Sequence, residues 1–411
     1  MKYHRWLLFS FTFLFLPFHS LLGQVSLTEI SGYLYSDGRP VSVRIKMGEI
    51  REVVYLEPGS KVPDLYIAPG LIDIQVNGFM GIDFSANPIT REDIQKAAAA
   101  LWEEGVTTFL PTVVPNEPDR MLKSFRMLAG MLNDKKLRQS IPGFHLESPF
   151  ISPVQGYRGA HLAKNIRLPD WREFATLQEA SGGRIMLITL APEVEGAAAL
   201  IEKCRESEVV VSLGHHNGSA ADIKRASDAG ARMSTHLGNG CANMIDRHLN
   251  PLWPQLADER LTATLIVDGF HLTPDEVRCF YKIKGPDRTI LISDAVDLAG
   301  MPPGEYERRE KRLILTEDHV VKFPDQNVLA GAASSLSNDL GKMMEFTECS
   351  LADAVQMAST NPARMLHLDD RGELIKGKRA DVILFKIQDN KIKIKKTILG
   401  GEEVYSSPEI R

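Results

Sequence analysis

The stretches VVVSLGH (209–215), SAADIKRASDAG (219–230) and RMSTHL (232–237) follow one another almost without a gap in the middle of the chain. The first is apolar on consecutive residues, as a strand buried on both faces requires. The second opens on Ser219, a residue suited to capping a helix, and stops at Gly230, where a left-handed residue ends one. The third is apolar again. Strand, helix and strand in this order form a parallel crossover unit. Moving outward, the unit recurs: LIDIQV (71–76), TTFLPTV (107–113), GFHLE (143–147), RIMLITLA (184–191), TATLIVD (262–268) and TILISDA (289–295) are further strand candidates. Between the first two of these, REDIQKAAAALWEEG (91–105) sets Ile94, Ala97, Ala98, Leu101 and Trp102 on one helical face and ends at Gly105. Eight strands with intervening helices predict an α/β fold, a (β/α)8 TIM-type barrel over residues 67–379. A doubly wound open sheet is the alternative, but no GxGxxG follows an early strand.

The flanks read differently. VSVRIKMG (41–48), REVVYLEP (51–58), ADVILFKI (380–387), KIKIKKTIL (391–399) and EEVYSS (402–407) alternate apolar and polar in short runs. Neither flank can hold a core alone, so a small β-sandwich domain built from both chain ends, residues 24–66 and 380–411, is expected. At the amino terminus, Lys2, His4 and Arg5 precede an apolar stretch from Trp6 to Leu16 and then Pro17, Ser20 and Gly23. That layout predicts a signal peptide over residues 1–23 and a protein exported to the periplasm or outside the cell. The stretch is short for a membrane span, and no later segment approaches one.

With 411 residues, 44% hydrophobic, 25% charged and a net charge of -5, the chain has the composition of a globular enzyme and no basic field for nucleic acid. Cys204, Cys241, Cys279 and Cys349 are widely spaced and contain no CxxC pair, so free thiols are expected.

A barrel places its functional side chains at the carboxyl ends of its strands. Those ends carry Gln75 and Asn77 (strand one), His145 and Glu147 (three), His215 and His216 (five), His236 (six), Asp268 and His271 (seven) and Asp294 (eight). Such convergence predicts a metal or general-base site. Two imidazoles and one carboxylate, His215, His236 and Glu147, make a three-ligand set with an open position. Catalytic zinc prefers that set, and iron, cobalt and manganese accept it. Asp294, across the barrel mouth, is placed to take a proton from water and hand it to a leaving amine.

At these residues the sequence resembles the amidohydrolase superfamily and, within it, the N-acetylglucosamine-6-phosphate deacetylases. The matching segments are APGLIDIQVNG, GFHLESPF, LAPE, VSLGHHN, STHLGN, IVDGFH, ISDA, LAGAASSL, NPAR and GKRADVILF, in that order between Ala68 and Phe385. The resemblance implies that Glu147, His215 and His236 bind one divalent metal, with Gln75-x-Asn77 the vestige of a His-x-His pair that supplies a second metal elsewhere. It implies that His161, in the GAH segment, polarises the acetyl carbonyl. Asn239, Gly240 and His271 correspond to positions that hold the sugar phosphate, and Arg247 to an arginine that reaches the neighbouring subunit's phosphate across a homodimer interface.

The sequence departs from the family in three places: Ser148 where the family has Gly, which is a small change, and GNGCAN after His236 and the export signal, which bear on substrate. The expected activity is therefore deacetylation of an amino sugar, N-acetylglucosamine 6-phosphate first. An exported amidohydrolase for an unphosphorylated N-acetyl sugar or another N-acyl amide is the alternative. A non-catalytic sugar-binding protein would have lost one of Glu147, His215, His236 or Asp294, and all four are present.

Overall fold

The computed structural model describes residues 27–308, 311–324 and 329–408, so the segment read as a signal peptide lies outside the described residues. The eight apolar runs form eight parallel strands: Leu71–Val76, Val106–Val113, Phe144–Glu147, Ile185–Leu190, Val210–Leu213, Met233–Ser234, Thr262–Leu265 and Thr289–Leu291. Neighbours along the chain are neighbours in the sheet. A parallel bridge between Val76 and Ala295 returns the eighth strand to the first and closes the barrel. The open-sheet alternative is thereby excluded.

Ile72, Ile74, Leu110, Leu187, Ile290 and Ile292 share one buried cluster, which Ala363 and Leu366 also join. Full burial of each such side chain stabilises by about 1.5–3 kcal/mol. The helices behave as their sequences predict. Arg91–Glu103 buries Ile94, Ala97, Ala98, Leu101 and Trp102. Ser219 caps Ala220–Ala229 in a reciprocal box with Asp222, and Gly230, at φ 135°, ends it.

The chain ends meet in one seven-stranded sheet. Tyr66–Pro69 lies parallel to Thr28–Leu34 on one side and antiparallel to Val382–Gln388 on the other. Alternation along Val382–Gln388 explains how this unit is held. Val382 and Leu384 join Val41, Val43 and Ile67 in a small core of their own. Ile383 and Phe385, on the opposite face, join the core of the barrel.

One element was not anticipated. After strand eight, Gly304–Arg308, Lys311–Leu315, Val320–Lys322 and Leu329–Ala332 form a four-stranded antiparallel sheet. It returns to the barrel through a bridge between Ala332 and Ala295. Its strands are short and interleaved with charge, so no period-two signal stands out. Among the described residues no helix is long and apolar enough to cross a membrane. All four cysteines are unpaired thiols.

Candidate metal centre and active site

Glu147 ends strand three, whereas His215, His236 and Asp294 each lie two or three residues beyond their strands. These three leave the strands with left-handed backbone, at φ 52°, 32° and 48°. Such a conformation costs a non-glycine residue about 1–2 kcal/mol. Its recurrence at three strand ends of one barrel mouth is the concentration of strain that functional sites retain.

The turns bring three side chains together. His215 Nε2 lies 3.1 Å from Glu147 Oε1 and 3.1 Å from His236 Nε2, and His236 Nε2 lies 3.5 Å from the same carboxylate oxygen. Four ligands at about 2.0–2.1 Å from a tetrahedral zinc stand roughly 3.3 Å from one another. The three atoms therefore form one face of such a tetrahedron. His215 Nδ1 donates to the Tyr157 carbonyl at 3.1 Å, which leaves the Nε2 lone pair facing His236. Lone pairs and a carboxylate oxygen at this separation need a proton or a cation among them. Burial alone would raise the Glu147 carboxyl, but the His215 and His236 imidazoles hold it well below its ordinary range. Burial likewise opposes a charge on His215, but its hydrogen bond to Glu147 raises its pKa. Among the described residues, Glu147, His215 and His236 are the group of His, Cys, Asp and Glu able to hold a metal.

Glycine backbone presses on two of these side chains, His215 and His236. A Cβ on Gly159 (φ 59°) would stand 2.8 Å from His215 Cε1, and one on Gly240 (φ 61°) would stand 3.0 Å from His215 Nδ1 and 3.1 Å from His236 Cε1. Beside Gly159, His161 sets its Nε2 3.6 Å from Glu147 Oε2, with its ring edge-on to His215.

Asp294 is half-buried, and desolvation raises its carboxyl above the ordinary range, partly offset by His236. Its Oδ1 accepts from Asn77 Nδ2 at 2.7 Å and Gln75 Nε2 at 3.0 Å, and the Gln75 amide also donates to Glu147 Oε1 at 3.3 Å. The sequence marked Gln75 and Asn77 only as vestiges; in the fold they are donors to the two carboxylates of the site. Their i, i+2 spacing at the end of strand one, beside Asp294, was the signal available.

The other strand-end residues separate. His145 hydrogen-bonds Thr189 Oγ1 at 2.8 Å, and burial pushes its pKa down to about 4, so it is neutral and outside the cluster. His216 is also buried, pushed down to about 4, and accepts from the Gly218 amide. His271 Nδ1 pairs with Asp268 Oδ2 at 2.6 Å. The Asn239 backbone amide donates to the His236 carbonyl in a tight turn, and its side-chain Nδ2 is buried with no hydrogen-bond partner among the described residues. Arg247 is exposed on the loop that follows and, among the described residues, has no part in the hydrogen bonds and ion pairs of the cluster.

A cavity of about 750 Å³ opens at the opposite, amino-terminal end of the barrel, lined in part by Met186, Arg205, Arg232 and Arg364. Arg205 and Arg364 lie in last turns of helices, where they offset the negative helix ends. Its size alone does not make it the candidate site; the side chains able to hold a metal converge at the other end.

Residues 66–404 match the Amidohydrolase family. The chain is 30% identical over 336 residues to an N-acetylglucosamine-6-phosphate deacetylase of Lysinibacillus sphaericus, covering 82% of this chain and 84% of that one. It is 31% identical over 319 residues to an N-acetylgalactosamine-6-phosphate deacetylase of Escherichia coli O157:H7, covering 77% and 82%. The structure of an N-acetyl-D-glucosamine-6-phosphate deacetylase variant from Mycobacterium smegmatis, in complex with N-acetyl-D-glucosamine-6-phosphate, superposes with a TM-score of 0.84 at 27% identity. The alignment covers 93% of this chain and all of that one.

These relatives overturn one expectation. Export was tied to an unphosphorylated substrate, yet the relatives are named for sugar phosphates, whose charge is costly to carry across hydrocarbon. The periplasmic or extracellular assignment is therefore withdrawn, since a short basic-then-apolar stretch does not support it alone. By sequence and by fold, the chain belongs to the amidohydrolase family and, within it, to the N-acetylglucosamine-6-phosphate deacetylases.

Proposed function

We propose that the protein hydrolyses the N-acetyl amide of N-acetylglucosamine 6-phosphate to glucosamine 6-phosphate and acetate. The observation that carries this reading is the buried Glu147–His215–His236 triangle with Asp294 beside it, in a chain of this family. A single divalent cation, zinc by donor set, held by Glu147, His215 and His236 supplies a Lewis acid for the carbonyl and lowers the pKa of water.

The side chains do the rest. Asp294 takes the proton of the attacking water as its oxygen bonds to the acetyl carbon, and returns it to the nitrogen as the carbon–nitrogen bond breaks. The raised carboxyl of Asp294 suits both halves of that transfer. His161 donates toward the acetyl oxygen from the edge of the cluster. Asn239 Nδ2, buried with no partner among the described residues, and the Gly240 amide face substrate oxygens, with His271 oriented by Asp268. Arg247 serves the phosphate of a neighbouring subunit in a homodimer. The exposed Met244 and Leu249 on the same loop suit a surface that a second copy covers.

The test is acetate release from N-acetylglucosamine and N-acetylgalactosamine, each with and without the 6-phosphate. The 6-phosphate of the glucosamine sugar should be the best substrate. Equal rates on the unphosphorylated sugars would overturn the phosphate assignment, and preference for galactosamine would move the chain to the specificity of its Escherichia coli relative.

A further inference from the structure

The two amides of strand one deserve a role of their own. A primary amide carries two N–H donors and no charge. Here one hydrogen of Gln75 faces Asp294 Oδ1 and the other Glu147 Oε1, so a single neutral group spans two carboxylates that repel each other. Asn77 donates to Asp294 Oδ1 as well, at 2.7 Å. The backbone holds these groups in register. Asp73 Oδ1 accepts both the Gln75 and the Ser293 amides at 3.3 Å, and the Asn77 amide donates to the Ala295 carbonyl at 2.8 Å. The donors and the acceptor thus sit on segments tied together on both sides of the barrel seam.

We infer that Gln75 and Asn77 are positioning residues for the reaction: they occupy both lone pairs of Asp294 Oδ1 and leave Oδ2 as the oxygen that receives the proton. This rests on Asp294 acting as the base. A carboxylate free to rotate presents either oxygen and, when displaced by an ångström, loses about 100-fold in rate. A merely structural role would instead lower stability and leave turnover of the folded fraction intact.

The experiment uses the full chain loaded with cobalt, whose absorption bands report the ligand field, and compares Asn77→Ala, Asn77→Asp and Gln75→Ala with wild type. The expected result for Asn77→Ala is a fall in kcat of about 10- to 100-fold with little change in KM and an unaltered cobalt spectrum. Asn77→Asp, of the same shape but with a donor replaced by an acceptor, should fall at least as far. If Asn77→Ala does not fold, that variant and Gln75→Ala carry the test. The coupling is decisive: added to Asp294→Asn, Asn77→Ala should lower turnover no further. Wild-type kcat in both Asn77→Asp and Gln75→Ala, or loss of rate only together with the cobalt bands, overturns the inference. A fully active Asp294→Asn refutes the base itself, whereas an inactive Asp294→Asn beside fully active amide variants refutes only the positioning.

Discussion

Replacing Asp294 by Asn removes one proton acceptor and almost nothing else. The Asn carbonyl can occupy the place of Oδ1 and accept the same hydrogen bonds from Gln75 and Asn77, so the side chain keeps its orientation. Glu147, His215 and His236 are untouched, and Glu147 loses the repulsion of a neighbouring carboxylate. The fold and metal content should therefore persist while turnover collapses. General-base catalysis contributes about 100- to 10,000-fold. At 1.36 kcal/mol per decade, that loss corresponds to roughly 3–5 kcal/mol of transition-state stabilisation. The assay pairs acetate release at saturating N-acetylglucosamine 6-phosphate with metal analysis of the same preparation. Turnover within tenfold of wild type, at full metal content, would refute Asp294 as the base; loss of metal in parallel would make it a ligand instead.

Metal analysis of the purified protein should give close to one equivalent per chain, and His215→Ala or His236→Ala should lose metal and activity together; two equivalents would show a second site. Gly159→Ala forces a Cβ against His215 Cε1 at a left-handed position, so metal affinity should fall about 10- to 100-fold, measured by competition with a chelator. Arg247→Ala should raise KM for the phosphorylated sugar and leave the unphosphorylated one unchanged, whereas equal loss on both would make Arg247 structural. The Asp73 carboxyl is pushed up by burial to about 7 from 3.8. Because the folded state favours its protonated form, its contribution is fully present below the unfolded pKa and lost as pH rises through about 7. Thermal unfolding of the metal-free protein should accordingly show Asp73→Asn gaining on wild type between about pH 4 and 7 and levelling off above that. A constant difference across that range would contradict the assignment.

The barrel was legible because buried parallel strands are written as continuous apolar runs, and all eight runs became strands. The convergence of Glu147, His215 and His236, a group able to hold a metal, was legible because strand ends concentrate chemistry. What the one-dimensional pattern hides is direction. His215 and His216 are adjacent and equally suitable, yet the left-handed turn at His215 sends its ring to Glu147 while His216 turns under the loop toward Gly218. His145 is two residues from Glu147 and ends among threonines, a neutral interior group. Gln75 and Asn77 were read by what they lack, since amides make poor metal ligands, and not by what they donate. The sheet after strand eight was missed because its strands, of three to five residues, leave no periodic trace.

The seam between the two chain ends governs the order in which the molecule can be made. Tyr66–Pro69 hydrogen-bonds Val382–Gln388, partners separated by more than three-quarters of the chain. During synthesis the amino-terminal strands emerge first, and they must wait, with one edge unpaired, while the barrel follows and until the last strands leave the ribosome. Exposed edges of this kind invite association with other chains. A chain shortened before residue 382 would thus carry the whole Glu147–His215–His236 cluster and still present an open, adhesive sheet. Insolubility in such a truncated protein would arise at the end of the molecule farthest in sequence from its chemistry.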